Sequence, residues 1–242
     1  MMNSYVCIDL ETTGLDPKRD KIIEIGALRV ENGEITGRFA TFVNPGRVLE
    51  ERITQLTGIR DEDLKDAPYI EDVLPGLMEF LGELPFLGHS VLFDFSFLKK
   101  AAVNQGIVLE KKAVDTLKIA RKYLPELSSR SLDFLCRHFE IPHQAHRALE
   151  DAYATHLLYG RLAELFGDKE PLEGGLFVPV DLKYQVKKDT PATKAQKEQL
   201  ARLLEQKKIT LPEDIKRLTR SEASRYVDLI KSGRFWTADG EE

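Results

Sequence analysis

Two acidic side chains lie one residue apart at the end of the first apolar run of the chain. Asp9 and Glu11 occur in YVCIDLE (residues 5–11), whose alternation predicts a β-strand. Side chains two residues apart on a strand point to the same side, so these two carboxylates should project together. Such like charges raise each other's pKa unless a cation lies between them, and a hard divalent cation suits oxygen ligands. An isolated Asp-x-Glu pair, however, more often forms surface ion pairs with Lys or Arg.

Two further acids and a histidine occur in segments that read as helical. Asp94 lies in the apolar segment 91–104, and Asp151 lies in the first turns of a helix predicted over 148–166. His146 precedes Asp151 by five residues, so on a continuous helix the two side chains would diverge by roughly 140°. To serve one site, His146 must therefore lie on the loop before the helix. Four acids and a histidine suit a two-metal site for in-line phosphoryl displacement, with the histidine as general base.

The elements that must position these residues follow from the pattern along the chain. Strands are predicted by short apolar or alternating runs at 5–11, 22–30, 34–43, 85–88 and 113–116. The second and third strands are joined by Glu-Asn-Gly, a hairpin turn signal. Helical patterns cover 47–82, broken by Pro68 and Pro75, and also 91–104, 117–123, 130–139 and 148–166. This order predicts an α/β fold, a mixed sheet flanked by helices.

The C-terminal part of the chain reads as a separate small module. Gly and Pro in GDKEPLEGG (167–175) interrupt the pattern, so we predict a first domain over 1–168 and a linker over 169–192 that contains one extended segment at 176–186. A helical hairpin is predicted over 193–234, followed by a tail over 235–242. Its two helices each begin with a capping-box pattern, at Thr193-x-x-Gln196 and Thr219-x-x-Glu222. Each helix carries an apolar stripe that the other can bury.

Composition limits the class of protein and its partners. The 242 residues carry a net charge of −5, but residues 1–182 carry −9 and residues 183–234 carry +7. The basic region fits either a polyanion or an ordinary solvated helical face. No apolar run is long enough to span a membrane and no signal peptide is recognisable, so a cytoplasmic protein without membrane contact is expected. Cys7 and Cys136 lie in apolar segments and are expected to be buried free thiols.

Three motifs in order resemble those of the DEDDh exonucleases, the DnaQ-like superfamily with a ribonuclease H-like fold. They are Asp9-x-Glu11, then Gly88-His89-x4-Asp94-x2-Phe97-Leu98, and finally His146-x4-Asp151-Ala152. The stretches TTGLD at 12–16, LTGI at 56–59 and LDFLCRHFEIP at 132–142 also occur where that family has them. The resemblance covers about residues 4–166 and is greatest to the proofreading exonucleases of bacterial DNA polymerase III, the epsilon type. Three motifs at these spacings are a far more specific signal than one.

The resemblance implies a role for each matching residue. Asp9, Glu11, Asp94 and Asp151 would bind two Mg²⁺ or Mn²⁺ ions, and His146 would be the general base. The backbone at Thr12 and Thr13 would hold the 3′-terminal nucleotide, and Leu15 would wedge against its base. The full set expected around the substrate is Thr12, Thr13, Gly14, Leu15, His89, Ser90 and Phe93. His89 is expected mainly to orient its loop, and Ser90 departs from the Asn that the family usually has.

The implied reaction is metal-dependent 3′→5′ release of nucleoside 5′-monophosphates, most of all from single-stranded DNA 3′ ends, in proofreading or repair. A DNA polymerase or repair protein is the expected partner. Two alternatives stay open: a 3′→5′ exoribonuclease that trims RNA, and a non-catalytic module that binds nucleic acid or docks to a replisome. The basic C-terminal module is expected to hold nucleic acid or a protein partner. His138, His143 and His156 are expected at surface or satisfied polar positions.

Overall fold

The alternating first segment forms the central strand of a six-stranded sheet. The computed structural model describes residues 2–169, 171, 175–211 and 213–234. The strands are β1 Tyr5–Thr12, β2 Ile22–Glu31, β3 Glu34–Phe42, β4 Phe86–Gly88, β5 Lys112–Asp115 and β6 Val180–Asp181. Their order is β3-β2-β1-β4-β5-β6. The pairs β1–β4 and β4–β5 are parallel and the other neighbours are antiparallel, so the mixed sheet is as predicted.

The two faces of β1 enter two different hydrophobic cores. Val6 and Ile8 pack in a core that includes side chains of the segments 73–81 and 95–102. Tyr5 and Cys7 point the other way, into a core that includes side chains of the segment 152–162. The alternation predicted for residues 5–11 is therefore confirmed. Asp9 and Glu11 continue the row that Tyr5 and Cys7 begin, so they end on the second face.

Helices cover the sheet at the places that the sequence pattern indicates. In the first part of the chain they are α1 Glu51–Thr57, α2 Asp61–Leu64, α3 Ile70–Leu81, α4 Leu92–Gln105, α5 Thr116–Tyr123, α6 Leu132–His138 and α7 Ala148–Phe166, with a short 3-10 turn at Gly167–Lys169. Of the two predicted breaks, Pro68 precedes α3, but Pro75 lies inside it. The prediction of a break at Pro75 is wrong, because Val73 and Leu77 are buried on either side of it and hold the helix together despite one lost backbone hydrogen bond.

The chain divides into two compact units. The first contains residues 1–45 and 49–186, and the second contains residues 46–48 and 187–242. The first unit extends past the predicted end at 168, because Phe177 and Leu182 are buried in its cores and β6 pairs with β5. The extended segment that we predicted at 176–186 therefore belongs to the first unit instead of a linker. The predicted tail at 235–242 lies outside the described residues.

The second unit contains the predicted helical hairpin. Its helices are α8 Lys194–Lys207 and α9 Arg220–Lys231, with a 3-10 turn at Ile215–Arg217 between them. Both capping boxes are formed, at Thr193 with Gln196 and at Thr219 with Glu222. The apolar stripes of the two helices bury one another, as Leu200 and Ile230 illustrate.

In the part of the chain that the structure describes, none of the helices is both long and apolar enough to cross a membrane.

Candidate active site

Three carboxylates from two elements converge beside the end of β1. Carboxylate oxygens of Asp9, Glu11 and Asp151 all lie within 4.8 Å of one another. The first two come from the strand and the third comes from the first turn of α7. The helix reaches the strand closely enough for the Cys7 thiol to lie 3.0 Å from the Ala152 carbonyl oxygen, to which it donates. Strand and helix therefore bring together residues that are about 140 positions apart in the sequence.

Asp94, on α4, is the fourth acid of this group. It is 3 % exposed in the first turn of α4, and its Oδ1 accepts a hydrogen bond of 3.0 Å from the backbone N–H of Leu10. Leu10 lies between Asp9 and Glu11, so the carboxylate of Asp94 is held against the backbone that carries the acidic pair. The structure thus gathers all four predicted acids at one place, with three of them in mutual proximity.

The pKa values of Asp9, Glu11 and Asp94 reflect desolvation and repulsion between neighbouring carboxylates. Desolvation raises the pKa of Asp9 well above its usual range, and the charges of Asp94 and Asp151 raise it further. Desolvation with the Asp151 and Glu24 charges raises the pKa of Glu11 to about 8. The pKa of Asp94 is likewise raised by desolvation, against the lowering effect of the Leu10 hydrogen bond. The cluster is therefore short of positive charge, which is the condition that a bound cation relieves.

The chemistry of this donor set fits a divalent metal. The ligand atoms are carboxylate oxygens on buried or half-buried side chains, which Mg²⁺ and Mn²⁺ favour. The guanidinium of Arg147 pairs with Glu24, with 3.0 Å between Nη2 and Oε1, and its charge lowers the pKa of Glu11 only in part.

The two histidines before α7 occupy different positions. His146 lies on the loop, as the geometry of the helix requires, and is exposed with φ +66°. His143 is the one that touches the acids: its Nε2 is 2.5 Å from Asp151 Oδ1 and its side chain is 4 % exposed. The expectation of a satisfied polar position fits His143 only in part, because its Nδ1 is buried without a hydrogen-bond partner in the described residues. His156 is satisfied by the Tyr5 hydroxyl at 2.9 Å.

The turn after β1 presents one apolar side chain to solvent. Thr12, Thr13 and Gly14 are buried, whereas Leu15 is 84 % exposed. Asp20 holds the turn: its Oδ2 accepts from the Asp16 amide at 2.9 Å, and a Cβ on Gly14 would lie 2.5 Å from that oxygen. An exposed leucine on a fixed turn, four residues after Glu11, suits contact with a flat apolar surface such as a base.

The segment 89–93 is anchored from the sheet side. Both ring nitrogens of His89 are engaged, Nδ1 with the Thr116 hydroxyl at 2.9 Å and Nε2 with the Arg130 carbonyl at 2.8 Å. Such a ring orients its loop, and desolvation lowers its pKa. Ser90 is exposed at φ +70°, and its amide donates to Asp115 Oδ1 at 3.0 Å. Phe93 is half-buried, with its ring centroid 5.0 Å from that of Phe97.

Several residues of the site were missed at the level of sequence. Glu24 is the main one: it is 5 % exposed on β2 and contacts Arg147 at the start of α7. A signal for it existed, because Glu24 is an acid inside the otherwise apolar run IIEIGAL. His143 and Asp20 gave no comparable signal, since polar residues are ordinary in loops.

Comparisons with known proteins agree with the geometry. The family model RNase_T, described as exonuclease, matches residues 6–159. The DNA polymerase III subunit epsilon of Aquifex aeolicus is 39% identical over 163 residues, which cover 66% of this chain and 81% of that protein. The PolC-type DNA polymerase III of Caldanaerobacter subterraneus is 42% identical over 162 residues, 66% of this chain. This chain spans only 12% of the length of that PolC-type relative.

Solved structures show the same fold. Exonuclease X in complex with 5′ overhanging duplex DNA has a TM-score of 0.56 and 27% identity, over 67% of this chain and 93% of that one. E. coli exonuclease I in complex with a dA16 oligonucleotide has a TM-score of 0.59, over 68% of this chain and 41% of that one. Its sequence identity is 18%, so this similarity supports the fold alone. The family model covers more than half of the chain and the epsilon subunit aligns over most of its own length, so the chain belongs to the exonuclease family, in its DnaQ-like branch with a ribonuclease H-like fold.

Proposed function

We propose that this protein is a divalent-metal-dependent 3′→5′ exonuclease that releases nucleoside 5′-monophosphates from DNA, most of all from single-stranded 3′ ends. The observation that carries the proposal is the convergence of Asp9, Glu11 and Asp151 within 4.8 Å, with Asp94 fixed beside them. A cluster of four acids at the end of a buried strand is costly without cations, so its presence in a well-packed fold favours a catalytic role.

The acidic side chains and His146 would have different roles in the reaction. Asp9, Glu11, Asp94 and Asp151 would hold two Mg²⁺ or Mn²⁺ ions, which supply Lewis acidity and lower the pKa of bound water. His146 would accept the proton of the attacking water, for which its exposed loop position gives access.

The turn after β1 would contact the terminal nucleotide. Leu15 would pack against the terminal base, and the backbone at Thr12 and Thr13 would fix the sugar. Ser90 and Phe93 would border the same nucleotide from the other side of the acids.

The choice of DNA rests on the relatives. The relatives compared above by sequence carry the name DNA polymerase III, and exonuclease X, at 27% identity, was solved with a DNA duplex. We therefore propose a role in replication proofreading or repair, in association with a polymerase or repair protein. RNA enters the test as a competing substrate.

A time course on oligonucleotides tests the proposal directly. DNA and RNA strands of one sequence, labelled at the 3′ or the 5′ end, are incubated with Mg²⁺, Mn²⁺ or EDTA. We expect immediate mononucleotide release from the 3′ label on DNA, dependent on the metal and absent in Asp9→Asn. Faster cleavage of RNA would replace the substrate class, and metal-independent binding without hydrolysis would replace the enzyme by a docking module.

We also propose that the helical module at 193–234 holds nucleic acid. Residues 183–234 carry a net charge of +7, and most of their basic side chains are exposed. Two basic residues, Lys194 and Arg220, stand at the first positions of α8 and α9, where acids would suit the helix dipole better. Lys194 forms an i,i+4 ion pair of 3.8 Å with Glu198, and contact with a polyanionic ligand would give these exposed basic side chains a further role.

The test of the module is the salt dependence of binding by the full chain. Replacing Arg202, Lys207 and Arg220 with Gln should flatten the slope of log K against log salt by about 2 for single-stranded DNA, if each contacts one phosphate. The matched control replaces the exposed acids Glu198, Glu205 and Asp228 with their amides, which should leave the slope unchanged. An unaltered slope in the basic triple variant would favour docking of a protein partner instead.

A further inference from the structure

Glu24 is a buried carboxylate that the proposed reaction does not use. It lies on β2 directly opposite Glu11 in the antiparallel register, and it is 5 % exposed. Its Oε1 accepts hydrogen bonds from Arg147 Nε at 3.2 Å and Nη2 at 3.0 Å. Its Oε2 accepts from the backbone N–H of Ala148 at 3.2 Å. Both oxygens therefore have partners other than a metal.

The helix that carries Asp151 depends on these contacts for its first turn. The N-cap residue of α7, Arg147, supplies no side-chain cap to the helix. Instead, the Ala148 amide donates to Glu24, and the Arg147 amide donates to Asp151 Oδ2 at 3.1 Å. Glu24 thus does from a neighbouring strand what an N-cap side chain usually does from within the helix.

Gly26, the next residue after Glu24 on the same face of β2, allows α7 to approach the strand very closely. A Cβ atom at Gly26 would lie 2.1 Å from the carbonyl carbon of Ala148 and 2.1 Å from the amide nitrogen of Leu149. Gly26 is the register partner of Asp9, just as Glu24 is the partner of Glu11. The start of α7 therefore packs against Glu24 and Gly26, the two β2 residues that lie beside Glu11 and Asp9 of β1.

We infer that Glu24 is a positioning residue, which with Arg147 fixes the first turn of α7 and so sets the Asp151 carboxylate against Asp9 and Glu11. This inference rests on the proposed function for its consequence in catalysis, but the positioning itself is a property of the fold. A rival role is that Glu24 is a further metal ligand. The two roles differ in what they require of Arg147, since only positioning needs the guanidinium.

The experiment measures Mn²⁺ affinity by electron paramagnetic resonance and amide hydrogen exchange in 147–152, both on the full chain. We expect Glu24→Ala and Arg147→Ala each to weaken Mn²⁺ binding by about tenfold, as loss of supporting partners typically does, and to speed exchange. The double variant should be no worse than about the worse single one, because both remove one interaction. Glu24→Gln keeps an acceptor for the Ala148 amide, so that amide should remain protected; this variant also carries the test if the alanine variant does not fold.

Glu31 provides the matched control. It lies on the same strand and pairs with Arg29 through Nε at 3.2 Å and Nη2 at 3.1 Å, almost as Glu24 pairs with Arg147. Glu31→Ala should leave Mn²⁺ affinity and exchange in 147–152 at wild-type values. Wild-type behaviour of Glu24→Ala would overturn the inference, as would weakened binding in Glu24→Ala with none in Arg147→Ala. A wild-type chain that binds no Mn²⁺ would instead refute the proposed function, and the exchange measurement would still decide the positioning.

Discussion

Asp94 accepts a hydrogen bond from the backbone amide of Leu10, with 3.0 Å between Oδ1 and N. The contact fills a gap in the sheet: β4 pairs with β1 only at Val6 and Cys7, so the edge of β1 beyond them has no strand beside it. The carboxylate takes the place of a strand carbonyl. One side chain therefore both completes the backbone hydrogen bonding of β1 and adds a negative charge to the acidic cluster.

This double role predicts that two substitutions of Asp94 will differ. Asp94→Ala leaves the buried Leu10 amide without an acceptor and should lower the free energy of unfolding by about 1–3 kcal/mol. Asp94→Asn keeps an acceptor oxygen and removes a charge, so its stability without metal should equal or exceed that of the wild type. Both should lose metal-dependent nuclease activity. Thermal denaturation in EDTA, run beside the nuclease assay, separates the effects, and equal stability of the two variants would contradict this account.

Sequence patterns were sufficient to predict the placement of those candidate site residues that lie in regular elements or directly beside them. Asp9 and Glu11 follow from a strand with period two, and the loop position of His146 follows from the angle per residue of a helix. Glu24 could not be placed in the same way, because its importance depends on where α7 starts relative to β2. That relation is a tertiary one: it needs Gly26 to admit the helix, and neither residue alone indicates it.

Loop conformation was the other limit. Nothing in the order of residues 142–147 says which of His143 and His146 faces Asp151, since both lie on one short loop. Pro75 illustrates a similar limit within an element, where burial of the surrounding apolar stripe outweighs the local cost of proline. Tertiary packing can outweigh the local conformational preference of a residue. A single sequence shows that local preference but does not show the packing.

The two loop histidines should be separable by kinetics. His146→Ala is expected to lower kcat by about 10²–10⁴-fold with saturating Mg²⁺, as loss of a general base does. His143→Ala removes a contact to Asp151 that still keeps its bond from the Arg147 amide, so we expect a reduction of less than about tenfold. The exposed His138 provides a control that should be unaffected. A larger loss in His143→Ala than in His146→Ala would exchange their roles.

The raised pKa of Glu11 predicts a pH-dependent stability in the absence of metal. In the unfolded chain this carboxyl ionises near its usual 4.5, whereas in the fold it keeps its proton until about pH 8. Between these values the folded state binds more protons, so the free energy of unfolding contributed by this group falls as pH rises. Glu11→Gln should therefore be more stable than the wild type at pH 9 by about 1 kcal/mol or more, which is ~2–4 °C in Tm.

The matching measurements test the sign of that effect. In EDTA at pH 4, Glu11→Gln and the wild type should melt at nearly the same temperature, because the carboxyl is then mostly protonated in both states. Saturating Mg²⁺ at pH 8 should raise the Tm of the wild type and leave that of Glu11→Gln nearly unchanged. Glu34→Gln, at an exposed hairpin position, serves as the control and should follow the wild type throughout. Destabilisation by Glu11→Gln at pH 9 would show that the acidic cluster is not under repulsion.

Two glycine-to-alanine substitutions should have opposite effects. At Gly26 a Cβ would lie 2.1 Å from backbone atoms of Ala148 and Leu149, so α7 must move away, at a cost of about 3 kcal/mol or more. At Gly160, in the same helix, a Cβ meets no atom within 4 Å, and alanine should stabilise the helix by roughly 0.5–1 kcal/mol. Chemical denaturation reports both. A mild effect at Gly26 would mean that the seat of α7 on β2 is more adaptable than the structure indicates.

Ser90 stands where the family usually has Asn, and the backbone gives a reason for that preference. Its φ of +70° lies in the left-handed region, which Asn adopts more readily than other non-glycine residues. Ser90→Asn should therefore stabilise the fold by up to about 1 kcal/mol, while Ser90→Val, β-branched, should destabilise it by about 1–2 kcal/mol. Because the Ser90 amide bond to Asp115 does not involve the side chain, kcat should stay unchanged in Ser90→Asn. Any effect of the longer amide side chain on the substrate should appear in KM for the oligonucleotide, and a fall in kcat would place this position in the chemistry instead.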